Sequence, residues 1–134
     1  MTLERLNSYR LLQIDIKMDL ERQRLLEAQA YAVGSGGFER MPSSNEPHSR
    51  TERYAIELVE LHDRIRADIL RKCREEMEIR EFIEAQDAQM RLILKCRFEH
   101  GWAWVRVARE VHLTEDATKK AVYRLLRKEE TRWE

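Results

Sequence analysis

The stretch GWAWVRVAREVHLTEDATKKAVYRLLRK, Gly101 to Lys128, decides how the rest of the chain is read. Two helical periods flank a short polar turn. Ala108 is small enough to let a second helix cross close to the first. Val107, Val111, Leu113, Val122, Leu125 and Leu126 supply the apolar set that joins them. Thr114 offers a capping hydroxyl to the second helix, and Glu115 and Asp116 place acids in its first turn, where the helix dipole favours negative charge. Residues 117–128 then hold five bases and no acid. Together these features predict a helix-turn-helix with a basic second helix.

Such a helix fits the major groove of double-stranded DNA, where base edges present a distinguishing pattern of donors and acceptors. Thr114, Glu115, Asp116, Lys119, Lys120 and Tyr123 lie early enough to face bases. Glu115 or Asp116 can accept from a cytosine amine. Arg124, Arg127 and Lys128 lie later and suit phosphates, which set affinity and register while base contacts set specificity. The bland alternative is a helical hairpin with a basic surface and no DNA partner. Trp104 is expected in the small core of this end and Trp102 on its rim, rather than as a base-stacking platform, which is usually built on a sheet.

Working outward, the charge balance supports a local contact only. The 134 residues carry 25 Lys plus Arg and 25 Asp plus Glu, so bulk positive charge is excluded as a mode of nucleic-acid binding. Residues 93–134 hold 10 basic and 7 acidic side chains, whereas residues 1–92 hold 15 and 18, so the positive excess falls where the turn and basic helix fall. Charged residues make up 37% and aromatic residues 7%, a composition that suits long solvated helices.

The chain is expected to be all-α: a long antiparallel helical hairpin over 1–86, with a loop at 33–50, followed by a helix-turn-helix domain over 87–134. The first helix is read over 3–32, with Leu11, Ile14, Met18, Leu25, Ala28 and Ala32 on one apolar stripe and Leu12, Ile16, Leu20 and Leu26 on a second. The loop holds Gly34, Gly36, Gly37, Pro42 and Pro47, which break helical hydrogen bonding. It lacks the spacing of a phosphate-binding loop.

The second helix is read over 51–85, capped by Thr51 or Ser49. Tyr54, Leu58, Leu61, Ile65, Ile69, Met77, Ile79 and Ile83 form its stripe. The two stripes can meet within one chain or between two chains as a homodimer, since both arrangements bury the same residues. Glu75, Glu76, Glu78, Glu81 and Glu84 interleave with Arg71, Lys72, Arg74 and Arg80 and read as a solvated face with pairs at three and four residues. Asp87 is read as the cap of a third helix over 88–99, which stops at Gly101.

Other chemistry finds no support. Cys73 and Cys96 form no CxxC and read as reduced, packed thiols of a cytoplasmic protein. His48, His62, His100 and His112 show no metal-ligand spacing, and we identify no metal, cofactor or catalytic residues. The start of the chain has no apolar signal core and no run approaches a membrane span, so no membrane partner is expected.

Residues 90–128 resemble the fourth region of bacterial sigma factors, the domain that reads the −35 promoter element. Arg91, Leu94, Arg97, Phe98, Gly101, Trp104, Val107 and Ala108 carry the match. That family has Gly in the turn where this chain has His112, and Val or Ile early in the second helix where this chain has Thr118. In layout the whole chain also resembles small phage and prophage proteins of Gram-positive bacteria, similar to the ArpU and RinA types of phage late-gene regulators, with Met41-Pro42 in the polar loop. No counterpart of the sigma region that melts promoter DNA is present. The resemblance implies a transcription activator, or a sigma-like accessory that contacts RNA polymerase. Two other readings pair such a domain with a helical region: a small terminase-like recognition subunit of phage DNA packaging, and a helical adaptor that binds RNA polymerase.

Overall fold

The structure is a computed structural model that describes the backbone at residues 1–36 and 49–131 and the side chains at 1–32 and 50–129. Every regular element among the described residues is helical. They are α1 (Leu3–Gly36), α2 (Ser49–Glu84), α3 (Ala88–Leu94), α4 (Trp104–Glu110) and α5 (Glu115–Thr131), with a π-helical turn at Lys95–Glu99 continuing α3. No helix is long and apolar enough to cross a membrane.

The long helices overrun their expected limits. The backbone stays helical through Gly34 and Gly36, and α2 already begins at Ser49, so Thr51 lies inside α2 rather than capping it. Gly37, Met41, Pro42, Pro47 and His48 lie outside the described residues.

Contacts group the chain into two compact units, Met1–Asp15 with Arg71–Glu134, and Ile16–Leu70, a division that cuts both long helices and differs from the boundary read at residue 86. The first unit has a dry core. Leu6 and Tyr9 enter it from α1, Ile79 and Ile83 from α2, Ile93, Leu94 and Phe98 from α3 and its π-turn, Val107 from α4, and Val122 and Leu126 from α5. Phe98, Leu6, Ile83, Leu94, Val107 and Val122 are fully enclosed. Burial of large apolar side chains contributes about 1.5–3 kcal/mol each. The second unit is thinner, with Leu26, Leu61 and Ile65 at its centre and Tyr54 and Leu58 packed against them. A buried carboxylate, Asp19, lies beside this core and is held in a fork by Arg64, at 3.0 Å from Nε and 2.7 Å from Nη2.

These cores correct several expectations. On α1, Leu11, Met18, Leu20 and Leu25 are exposed, and the buried line runs through Leu6, Tyr9, Gln13, Ile16, Asp19 and Leu26. On α2, Ile69 and Met77 are exposed, and Asp68, next to Ile69, is buried instead. Cys96 is buried but Cys73 is exposed. On the acidic face of α2, Arg80 pairs locally with Glu76. Glu75 and Glu78 instead reach Arg5 on α1, and Glu84 reaches Lys95 at 2.8 Å. That hydrogen bond holds the Glu84 carboxyl below its ordinary value.

Candidate nucleic-acid interface

The approach to α4 is set by three local signals. Asp87 caps α3, its Oδ1 accepting from the Met90 amide at 2.9 Å. The π-turn then widens the coil, so that the His100 amide donates to Lys95 O and the Trp102 amide to Cys96 O. Gly101 reverses the chain at φ +73°, and a Cβ there would stand 3.3 Å from Ile14 Cγ1 on α1. The left-handed backbone favours glycine, and a Cβ there would also press on the Ile14 side chain.

Aromatic and basic side chains brace this bend. Phe98 meets Trp104 edge to face, with ring centroids 6.2 Å apart. The Arg97 guanidinium stacks 4.6 Å from the Trp104 centroid, and its Nη1 donates to Trp102 O at 2.9 Å. Arg106 lies 3.6 Å over Trp102, and Arg10 donates to Gly101 O. Burial, with the nearby charge of Arg10, pushes Arg97 below the usual guanidinium value. Burial pushes the Cys96 thiol up. Trp104 packs against the apolar core. The sequence reading missed Arg10, Arg97 and Arg106 as bracing groups. The four-residue step from Trp102 to Arg106 is the one signal available.

The turn from α4 to α5 is closed by backbone bonds. Val111 is the C-cap of α4, and His112 follows in the left-handed region at φ 57°. The Leu113 amide donates to Ala108 O at 3.0 Å and the His112 amide to Arg109 O at 3.3 Å. This is the Schellman pattern, whose left-handed position glycine fills without strain. His112 therefore adopts a conformation that glycine would take without a Cβ penalty. Leu113, expected among the joining residues, is more than a third exposed.

Thr114 starts α5, its Oγ1 accepting from the Ala117 amide at 3.1 Å. Thr118 is fully enclosed, and its hydroxyl donates to Thr114 O at 2.8 Å. A β-branched residue of valine's size is thus buried with its polar atom satisfied. Ala108 and Val107 of α4 and Val122 and Leu126 of α5 are buried, and the two helices pack on one another.

The opposite edge of α5 faces outward. Asp116, Lys120, Tyr123, Arg124, Arg127 and Lys128 are exposed, while Glu115 and Lys119 are half-buried. Lys119 pairs with Glu115 at 3.0 Å and Lys120 with Asp116 at 2.9 Å, both four residues apart. Each acid precedes its base, the order that suits the helix dipole. The first turn of α5 is therefore locally neutral, and the bases Arg124, Arg127 and Lys128 follow in its second half, ahead of Glu129 and Glu130. Of the nine predicted site residues, Thr114 and Glu115 are tied into the start of the helix, and the others share or border its exposed edge. In comparisons with protein-family models, curated proteins and solved structures, nothing matches the chain.

Proposed function

We propose that the chain is a sequence-specific DNA-binding transcriptional regulator of phage or prophage type, in which α4 and α5 act as a sigma-region-4-like helix-turn-helix. The observation that carries this reading is α5 itself. One edge, Thr118, Val122 and Leu126, is locked into the core, and the other presents Lys120, Tyr123, Arg124, Arg127 and Lys128 to solvent. A helix of this diameter enters the major groove, with base edges opposite its early residues and phosphates opposite its later ones. Lys120 and Tyr123 are the readers in this proposal, and Arg124, Arg127 and Lys128 the anchors. Glu115 and Asp116 neutralise neighbouring lysines until a base amine or amide competes for them. The long helices form the supporting antiparallel hairpin, RNA polymerase is the protein partner, and the setting is the cytoplasm.

The test is titration of duplex DNA with the parent and a Lys120→Ala, Arg124→Ala variant. Both side chains are exposed, so the fold should survive and circular dichroism should be unchanged. Affinity should fall by at least about tenfold, and each lost phosphate contact should reduce the slope of log K against log salt by about 0.9. Unchanged binding by the variant refutes the reading. A ring of eight or more chains would point to a DNA-packaging subunit instead.

A further inference from the structure

The outward face of α2 carries a second repeat that the core does not use. Within Ile16–Leu70, residues Ile56, Val59, Asp63, Arg66 and Leu70 recur at alternating steps of three and four, and all five are exposed. Val59 keeps 61% of its surface in water and Leu70 54%. In sequence the same register continues through Cys73 and Met77. A stripe at this period matches a helical partner that supercoils with it, rather than a small molecule or a flat surface.

We propose that this face pairs with the same face of a second copy, antiparallel, about a two-fold axis between Asp63 and Arg66. The charge pattern selects the occupant and the direction. In the antiparallel register Asp63 faces the partner's Arg66, and Arg66 faces the partner's Asp63. Val59 faces the partner's Leu70 in the flanking layers, so apolar meets apolar on both sides of the charged centre. A parallel pair would set Asp63 against Asp63 and Arg66 against Arg66, two like-charge contacts. Neither side chain has an ion-pair partner within its own chain among the described residues, so both are available. One surface patch thus complements itself, the condition for a closed dimer. This interface is independent of the DNA-binding proposal and would stand if that failed.

Sedimentation of the full chain at about 100 µM, well above a micromolar Kd, should show a two-chain species. Asp63→Arg alone should raise the dimer Kd by about tenfold or more, because two attractive pairs become two repulsive ones. Arg66→Asp should do the same. The double exchange, Asp63→Arg with Arg66→Asp, should restore the dimer, since opposite charges again face each other. Only antiparallel self-pairing gives that rescue. Geometry is read separately in a Cys73→Ser background with oxidised glutathione as the oxidant. Val59→Cys and Leu70→Cys singly should give no covalent dimer, and the two together should give one. A monomer at this concentration, a dimer indifferent to the single charge changes, failure of the double exchange to rescue, or a crosslink from either single cysteine variant each overturns the proposal.

Discussion

The two compact units bury apolar surface in different ways. In Met1–Asp15 with Arg71–Glu134, segments of all five helices meet on a dry centre at Phe98, Leu94, Val107 and Val122. In Ile16–Leu70, two helices share a short cluster at Leu26, Leu61 and Ile65, with the Asp19–Arg64 pair beside it. A helix pair has only one seam in which to exclude water, whereas a helix in a five-helix cluster is covered from several sides. Stability should therefore concentrate in the first unit, which also carries α4 and α5. The second unit gains most from a further helix laid on its outer face.

The largest effect should come from the dry core. Phe98→Ala should lower unfolding free energy by about 3–5 kcal/mol, through lost transfer energy and the cavity left behind. Leu61→Ala in the thin unit should cost only about 2 kcal/mol, because solvent-edge neighbours can collapse into the space. Denaturant midpoints measure both, and equal costs would erase the contrast between the units. Amide hydrogen exchange sharpens the same point, with protection higher for α3, α4 and α5 than for residues 16–32 and 50–70.

Gly101→Ala comes next, at about 2 kcal/mol, from the left-handed backbone and the Ile14 contact. Tyr9 supplies a pH test of the dry unit. Burial, with nearby Glu76 and Glu99, pushes its phenol up to about 12 from 10.0. The unfolded chain then releases this proton first as pH rises. Folded stability from Tyr9 is complete below pH 10 and is lost between pH 10 and 12, by up to about 3 kcal/mol. Tyr9→Phe should flatten that part of the stability profile; an unchanged slope would place the phenol in water.

His112→Gly gives the smallest change, a gain of about 0.5–1 kcal/mol, since glycine adopts the positive φ without a Cβ penalty. A loss on this substitution would mean that the imidazole makes contacts that outweigh the strain.

The parts legible in the sequence are those fixed by local signals. Asp87 caps α3, Gly101 stops the helical run, Thr114 caps α5, and Ala108 with Val107, Val122 and Leu126 forms the buried edge, because each depends on residues a few positions away. The α1 face was misread for a physical reason. Its buried line contains Gln13 and Asp19, whose polar groups are satisfied by Phe98 O and Arg64, partners 85 and 45 residues away. A hydrophobic pattern cannot see such partners, so the neighbouring stripe through Leu11, Met18 and Leu25 looks like the better seam. The bracing of the bend by Arg10 escaped for the same reason. On α5 the exposed basic edge was legible, but the pairs Lys119–Glu115 and Lys120–Asp116, which neutralise its first turn, were not read from the sequence.

The central claim, that α5 reads duplex DNA, is tested most directly by selecting bound duplexes from a random pool with the full chain and sequencing them. One enriched motif, lost from the pool when Lys120→Ala, Arg124→Ala protein is used, is the predicted result. A pool that stays random with the parent protein would contradict it.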